Sequence, residues 1–338
     1  MLSEDVARFR AATIKALRAF FDERGYLEVD TPVLAPELIP EAHIEVFETR
    51  LVDPFAADGA APSPERAAPS RFGAAPPGSG AARRFLVPSP EIWMKRLLAQ
   101  GYGNMYSLGK VFRNAESTSR MHHPEFTMLE WYTVDADYRD QALLTGELLR
   151  YLGDALPEAD GRDAIRADVE TMTVAESIAR YAGMRLDFAG RGAMREAASA
   201  LGLRVGMNET EEDLYQRILL TFVEPRLPHD HPVILTDYPA MVPTLARRNG
   251  AVAERWELYL QGMEIANCYT EERDRARLEE FLRVEGERKQ NAVVPHSVAD
   301  SLLDFASAPP CSGVALGVDR LVMALLDLRE IGGVIFFP

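Results

Sequence analysis

The sequence predicts an α+β fold, a mainly antiparallel sheet flanked by helices and carrying a helix-rich insertion, and three observations lead there. Val111 to Tyr132, VFRNAESTSRMHHPEFTMLEWY, reads as strand, polar loop and strand, with Val111 and Phe112 leading into Arg113 and β-branched and aromatic sequence resuming at Phe126. WELYLQGMEIANCY reads as a hairpin turning at Gln261 and Gly262. Stretches of helical spacing bracket these strands, beginning with Val6, Phe9, Thr13, Leu17, Phe20 and Phe21. Hairpins make neighbouring strands antiparallel, and helices set beside such a sheet define the class.

The first helix stops at Gly25, a residue suited to a C-terminal cap. Residues 55–82 are rich in Ala, Pro, Gly and Ser and read as a flexible surface insertion. Ser89 caps a helix with Pro90 at its first position, and EIWMKRLLAQ runs to Gly101. After Tyr132 a helix-rich insertion spans about residues 140–228. Within it, Thr173 and Glu176 have capping-box spacing, and a helix over Glu211 to Val223 ends before Pro225. VILTDYP returns the chain to strands, Glu271 to Asn291 reads as a long charged helix, Gly313 to Gly317 as a strand, and Asp319 opens the last helix. The whole, residues 1–338, reads as one catalytic-size domain.

With 47% hydrophobic residues in 338, the chain can bury a large core. A net charge of −15 argues against broad nucleic-acid affinity, which draws on Lys and Arg contacts to phosphate. Cys268 and Cys311 have neither disulfide-framework nor zinc spacing. No apolar run approaches eighteen residues and no leader pattern is present, so a cytoplasmic chain without membrane contact is expected.

Two constellations carry chemistry. If Phe126 to Tyr132 is a strand, Phe126, Met128, Glu130 and Tyr132 share a face, which makes either a polar site with a stacking platform or a solvated surface hairpin. In the second hairpin Leu260 should pair with Met263 and Glu264 should oppose Tyr259. That sets Glu257 and Glu264 diagonally on one face, roughly 7–8 Å apart at the backbone. Two acids so placed can share one Mg²⁺ with substrate phosphates, or form a solvated edge. Asn267, Tyr269 and Glu271 have the wrong parity for Glu264's face, so joining it requires a bulge near Ala266. Arg320, in the first turn of the last helix, is placed to meet phosphate.

FRNAES with HHPEFTMLEWY resembles motif 2 of the lysine-type class II aminoacyl-tRNA synthetases, and GVALGVDRLVM resembles motif 3. The first helix with RGYLEVDTPVL resembles motif 1, with Pro32 as its proline, and ERWELYLQGMEIANCYTEERD is similar to the segment bearing metal- and lysine-binding acids. The resemblance runs from about Val6 to Phe337, leaves no room for an anticodon-reading domain, and implies a homodimer formed through motif 1. It implies an adenylation site for ATP and Mg²⁺. Arg113 would grip the α-phosphate, and Arg320 would lie over adenine and reach the γ-phosphate. Phe126 would stack on adenine, with Asn114, Glu116, His122 and His123 completing the motif 2 contacts. Glu257 and Glu264 would hold the metal, and the backbone of Ile265 and Gly317 would approach the nucleotide. The amino-acid pocket would use Glu130, Tyr132 and Glu271 around a terminal ammonium, with Ser89, Pro90, Glu91, Asn267, Tyr269 and Ala315 toward the other end.

The absent anticodon domain, Ser89 in place of alanine and Ala315 in place of glycine are similar to the elongation factor P lysine ligases. Those activate (R)-β-lysine or lysine and pass it to a lysine ε-amine of elongation factor P, so tRNA is not expected as a partner. A methyl at position 315 should favour the β-isomer by about 10- to 200-fold. FRNAE is one residue longer than the family's FRNE, so Glu116 takes the motif role only if Ala115 bulges. His123 stands where asparagine is usual, and Cys268-Tyr269 replace Gly-Phe. Two other readings stay open: a truncated lysine-tRNA ligase, and a catalytically silent regulatory paralogue.

Overall fold

The computed structural model describes residues 2–52, 81–114, 120–157, 159–190, 192–296 and 298–338. Most of the 55–82 insertion, and Glu116 with the bulge expected at Ala115, lie outside the described residues. Ala81 and Ala82 lie within a strand.

Helix α1 (Glu4–Asp22) starts where the Ser3 hydroxyl accepts from the Val6 amide, and buries Phe9, Thr13, Leu17, Phe20 and Phe21 along one stripe. Strands β1 (Leu27–Glu28), β2 (Leu34–Ala35), β3 (Glu48–Val52) and β4 (Ala81–Leu86) follow, then α2 (Glu91–Ala99). The chain continues through β5 (Met105–Phe112), β6 (Glu125–Val134), α3 (Tyr138–Ala155), α4 (Arg162–Arg166), β7 (Glu170–Thr173), α5 (Val174–Tyr181), α6 (Ala193–Ala200) and α7 (Glu211–Ile218). It closes with β8 (Val233–Pro239), β9 (Arg248–Asn249), β10 (Val252–Leu260), β11 (Met263–Thr270), α8 (Arg275–Lys289), β12 (Cys311–Gly317) and α9 (Val318–Leu325).

Contacts divide the chain into two compact units. The first comprises Met1–Gly25, Tyr132–Glu272 and Pro310–Pro338. Its strands run in the order β12-β11-β10-β8-β7 with β9 also on β10, antiparallel except for the parallel β7–β8 pair. The insertion helices α5, α6 and α7 bury Ile178, Met194, Leu214, Tyr215 and Ile218 against Val233, Leu235, Tyr238 and Tyr259 of the sheet. The insertion also contributes β7, which its polar sequence Glu-Thr-Met-Thr did not announce. The capping box at Thr173 and Glu176 is present, with both reciprocal bonds made.

The second unit comprises Tyr26–Trp131 and Arg273–Pro309. In it β1 pairs with β5 in parallel, β6 neighbours β5, and β2-β4-β3 form a small antiparallel sheet over Ala35, Leu38, Val46, Phe85 and Val87. The Lys289 ammonium is fully buried, donates to the Ile44 carbonyl and lies 3.7 Å from the Glu45 carboxylate.

Three helix ends differ from the sequence expectation. α8 begins at Arg275 under an Asp274 cap, because Glu271 and Glu272 are held in β-type pairing, Glu271 bridging Ala246 and the two amides bonded to the Cys311 and Leu245 carbonyls. α7 stops at Ile218 and widens into a π-type turn over Leu219–Val223 before a tight turn at Glu224–Arg226. Pro90, not Ser89, is the residue flanking α2, while the Ser89 hydroxyl still accepts from the Glu91 amide at 3.0 Å.

Candidate active site

In the first unit the β10–β11 hairpin organises the chemistry. Leu260 pairs with Met263 and Tyr259 with Glu264, across Gln261 and Gly262 at φ +51° and +73°, the positive φ that favoured two-residue turns need. Leu258 faces Ala266 while Tyr259 faces Glu264, so Ile265 is an extra residue bulged out of the ladder. It adjoins the Ala266 position where parity demanded it. Beyond the bulge Glu257 faces Asn267 and Arg255 faces Tyr269. Glu264, Asn267 and Tyr269 are half-buried on one face, while Ala266, Cys268 and Thr270 are buried on the other. On the far side of β11, Asn267 pairs with Ala315 and Tyr269 with Gly313.

Glu257 is held from three directions. Its Oε2 accepts from the Tyr238 hydroxyl at 2.6 Å and the Tyr259 hydroxyl at 2.7 Å, and its Oε1 meets the Arg255 guanidinium at 2.5 Å. Arg255 also donates to Asn267 Oδ1 at 3.1 Å, and Asn267 Nδ2 donates to the Tyr269 hydroxyl at 2.9 Å. Burial works against the Arg255 charge, but Glu257 beside it, together with Tyr269, Tyr238 and Tyr215, outweighs that and holds the guanidinium protonated. Sequence reasoning missed Arg255, which the strand alternation places on Glu257's face.

Glu264 is the more accessible acid. Loss of solvent and the Glu257 charge push its carboxyl up to about 7, against the pull of Arg320 and Arg255. Arg320 donates to the Glu264 carbonyl at 3.0 Å and has its Nη1 3.8 Å from the carboxylate. Two neighbouring carboxylates, one of them raised by the charge of the other, are a donor set a hard cation relieves. Among the described residues no cluster of three or more His, Cys, Asp or Glu is set to hold a metal. A cation on this pair would therefore draw further oxygens from water or substrate phosphate.

β12 and α9 close this half. A methyl at Gly313 would stand 2.4 Å from Tyr132 Cε1 and 2.9 Å from Glu271 Oε1, so glycine here is what lets the Tyr132 ring and the buried Glu271 carboxylate sit together. At Gly317 a methyl would meet only the Ile265 carbonyl at 3.8 Å and the Arg320 Cβ at 4.0 Å. Its absence there is not demanded by the described chain. Asp319, next to Arg320, forms a buried 2.5 Å ion pair with Arg10 of α1.

The second unit gathers the remaining expected residues. The Ser89 hydroxyl donates to the buried Glu130 carboxylate at 2.7 Å, a bond that alanine could not make. Glu91 pairs with the buried Lys95 at 2.6 Å. Glu41, which sequence reasoning did not single out, has its carboxyl pushed up to about 7 by burial and by Glu91, partly offset by Arg113 and Lys95. The Arg113 amide donates to the Pro124 carbonyl at 3.0 Å, and its guanidinium lies 5.4 Å from the Phe126 ring centroid. Asn114 is tied to β-structure through its amide, 2.8 Å from the Glu45 carbonyl. The His123 ring folds onto its own loop, with Nδ1 2.7 Å from the Glu125 carbonyl. His122 is half-buried and Pro90 is buried.

Residues 3–338 match the family described as tRNA synthetases class II (D, K and N). The chain is 35% identical over 339 residues to the elongation factor P–(R)-β-lysine ligase of Yersinia enterocolitica serotype O:8, covering 97% of this chain and 93% of that one. The proteins of the same name from Yersinia pestis (strain Pestoides F) and Yersinia pseudotuberculosis serotype O:1b are 35% identical over 340 residues, with the same coverage.

Proposed function

Since the chain belongs to the class II tRNA synthetase family (D, K and N), we propose that it activates (R)-β-lysine, or lysine, with ATP and passes the acyl group to a lysine ε-amine of elongation factor P. The similarity to relatives bearing that ligase name along nearly their whole length supports this reading over tRNA charging. The observation that carries it is the bulge at Ile265, which gathers Glu257, Glu264 and Asn267 on one face beside the Arg320 guanidinium. A phosphate-seeking cation next to two acids is the composition that a nucleotide with its metal requires.

In the reaction the amino-acid carboxylate attacks the α-phosphorus of ATP, forming an aminoacyl-adenylate and releasing pyrophosphate. No protein nucleophile is needed, and the residues act by positioning and by neutralising charge. Arg113 takes the α-phosphate and Phe126 one face of adenine, with Asn114, Glu116, His122 and His123 as further motif 2 contacts. Arg320 takes the other face and the γ-phosphate, and the open space at Gly317 fits the close approach of a nucleotide to the backbone. Glu264, with Glu257 behind it, would hold Mg²⁺, which supplies charge neutralisation on the phosphates. Glu130, Tyr132 and Glu271 receive the substrate's terminal ammonium, while Glu91, Asn267, Tyr269 and Ala315 meet its other end. Ser89, through its bond to Glu130, keeps that carboxylate's direction. A homodimer acting in the cytoplasm completes the proposal; among the described residues no helix is long and apolar enough to cross a membrane.

Exchange of labelled pyrophosphate into ATP tests the first half-reaction. Exchange dependent on a lysine isomer is expected, strongest with the (R)-β form. None with any isomer would overturn the proposal in favour of a silent paralogue, and robust charging of tRNA would favour a truncated lysine-tRNA ligase.

A further inference from the structure

The helical insertion reaches the carboxylate pair through a hydroxyl. Beyond α7 the wide turn at Leu219–Val223 and the tight turn at Glu224–Arg226 deliver Glu224 to Tyr259, whose hydroxyl lies 3.2 Å from Glu224 Oε1 and 2.7 Å from Glu257 Oε2. The Tyr238 hydroxyl meets the same Glu257 oxygen at 2.6 Å. Both tyrosine rings belong to the insertion's apolar core and are 1% and 2% exposed, so packing fixes where each hydroxyl stands. A phenylalanine would fill that core equally well. The hydroxyls are therefore accounted for by what they bond.

One hydroxyl carries one hydrogen and cannot fully serve two carboxylates. The nearer Glu257 takes it, and Glu224 completes the other side of the phenol oxygen. Burial and the Glu257 charge raise the Glu224 carboxyl, and the Tyr259 hydroxyl pulls it back down. With Oε2 occupied by two phenols and Oε1 by Arg255, the Glu257 carboxylate has no freedom to turn.

We infer that Tyr259, backed by Glu224 and paired with Tyr238, is a positioning residue that fixes the direction of Glu257 and thereby sets how tightly the site takes a divalent cation with ATP. This rests on the metal role proposed for Glu257. Groups that orient a metal's carboxylate ligands cost roughly 10- to 100-fold in metal affinity when removed.

The test measures Mn²⁺ binding to the full chain by electron paramagnetic resonance, in the presence of a non-hydrolysable ATP analogue, with the Mg²⁺ dependence of pyrophosphate exchange beside it. Tyr259→Phe should raise the Mn²⁺ dissociation constant about tenfold and the half-saturating Mg²⁺ in step, while the KM for lysine stays put. Glu224→Ala should move both in the same direction by less, and Glu224→Gln, which keeps an oxygen and a donor at the phenol, should recover most of that loss. The double variant Tyr259→Phe/Glu224→Ala should be no worse than Tyr259→Phe alone. A Mn²⁺ titration of folded Tyr259→Phe that superimposes on wild type overturns the inference, as does full multiplication of the two losses. If Tyr259→Phe does not fold, the Glu224→Ala and Glu224→Gln pair decides by the same criterion. A wild-type chain that shows the Mn²⁺ effect yet catalyses no exchange would sink the proposed activity and leave this inference standing.

Discussion

Adding one methyl group at Gly313 should damage amino-acid recognition while sparing the nucleotide. The new Cβ would stand 2.4 Å from Tyr132 Cε1, 2.9 Å from Tyr132 Cδ1 and 2.9 Å from Glu271 Oε1. Carbon atoms rest about 3.5–4.0 Å apart, so the ring has to retreat by about 1 Å or more. Tyr132 is 2% exposed and Glu271 3%, which leaves neither side chain slack to yield. Overpacking of this kind costs about 1–3 kcal/mol, equivalent to about 5- to 150-fold in a rate or binding constant. In Gly313→Ala the loss should appear in kcat/KM for lysine-dependent pyrophosphate exchange, mainly as a raised KM for the amino acid. The KM for ATP should hold, because Arg320 and Glu264 lie at the other end of β12 and β11. If Gly313→Ala is folded and its amino-acid KM matches wild type within about twofold, well below the overpacking range, the Tyr132–Glu271 pocket is not where the substrate binds.

Other outcomes follow from the same geometry. Arg10→Ala strands the buried Asp319 carboxylate and should lower stability by about 3–5 kcal/mol in urea denaturation; Arg10→Met combined with Asp319→Leu should recover much of it. Glu41 in the folded chain holds its proton up to about pH 7 against an ordinary value of 4.5, so the folded state binds more protons between those limits and stability falls as pH rises through them. Glu41→Gln removes that penalty, and its thermal midpoint should exceed wild type by more at pH 8 than at pH 5; an equal difference at both would remove Glu41 from the account. Ala315→Gly, opposite Asn267, should relax preference from (R)-β-lysine toward α-lysine by about 10-fold or more. An unchanged isomer ratio in pyrophosphate exchange would show that this methyl does not select.

The hairpin was readable before the structure because strand parity is strict. Glu264 and Asn267 cannot share a face unless one residue bulges, and Ile265 does. Arg113 and Arg320 stood out because each lies in a local motif next to a strand end or helix start. The network around Glu257 was hidden for the opposite reason. Tyr238 lies 19 residues from Glu257, and Glu224 lies 35 from Tyr259 at the irregular end of a helix that reads as ordinary insertion. Ser89 illustrates a residue with two roles. Its cap-like bond to Glu91 is local and was legible, while its bond to Glu130 spans 41 residues and depends on the strand coming back.

The most direct measurement is the mass of elongation factor P after incubation with this chain, ATP, Mg²⁺ and each lysine isomer in turn. The account predicts a single lysyl-sized increment on one acceptor lysine, largest with (R)-β-lysine and absent when Arg113 or Arg320 is replaced by alanine. An acceptor of unchanged mass with every isomer, under conditions where the chain exchanges pyrophosphate, would contradict it.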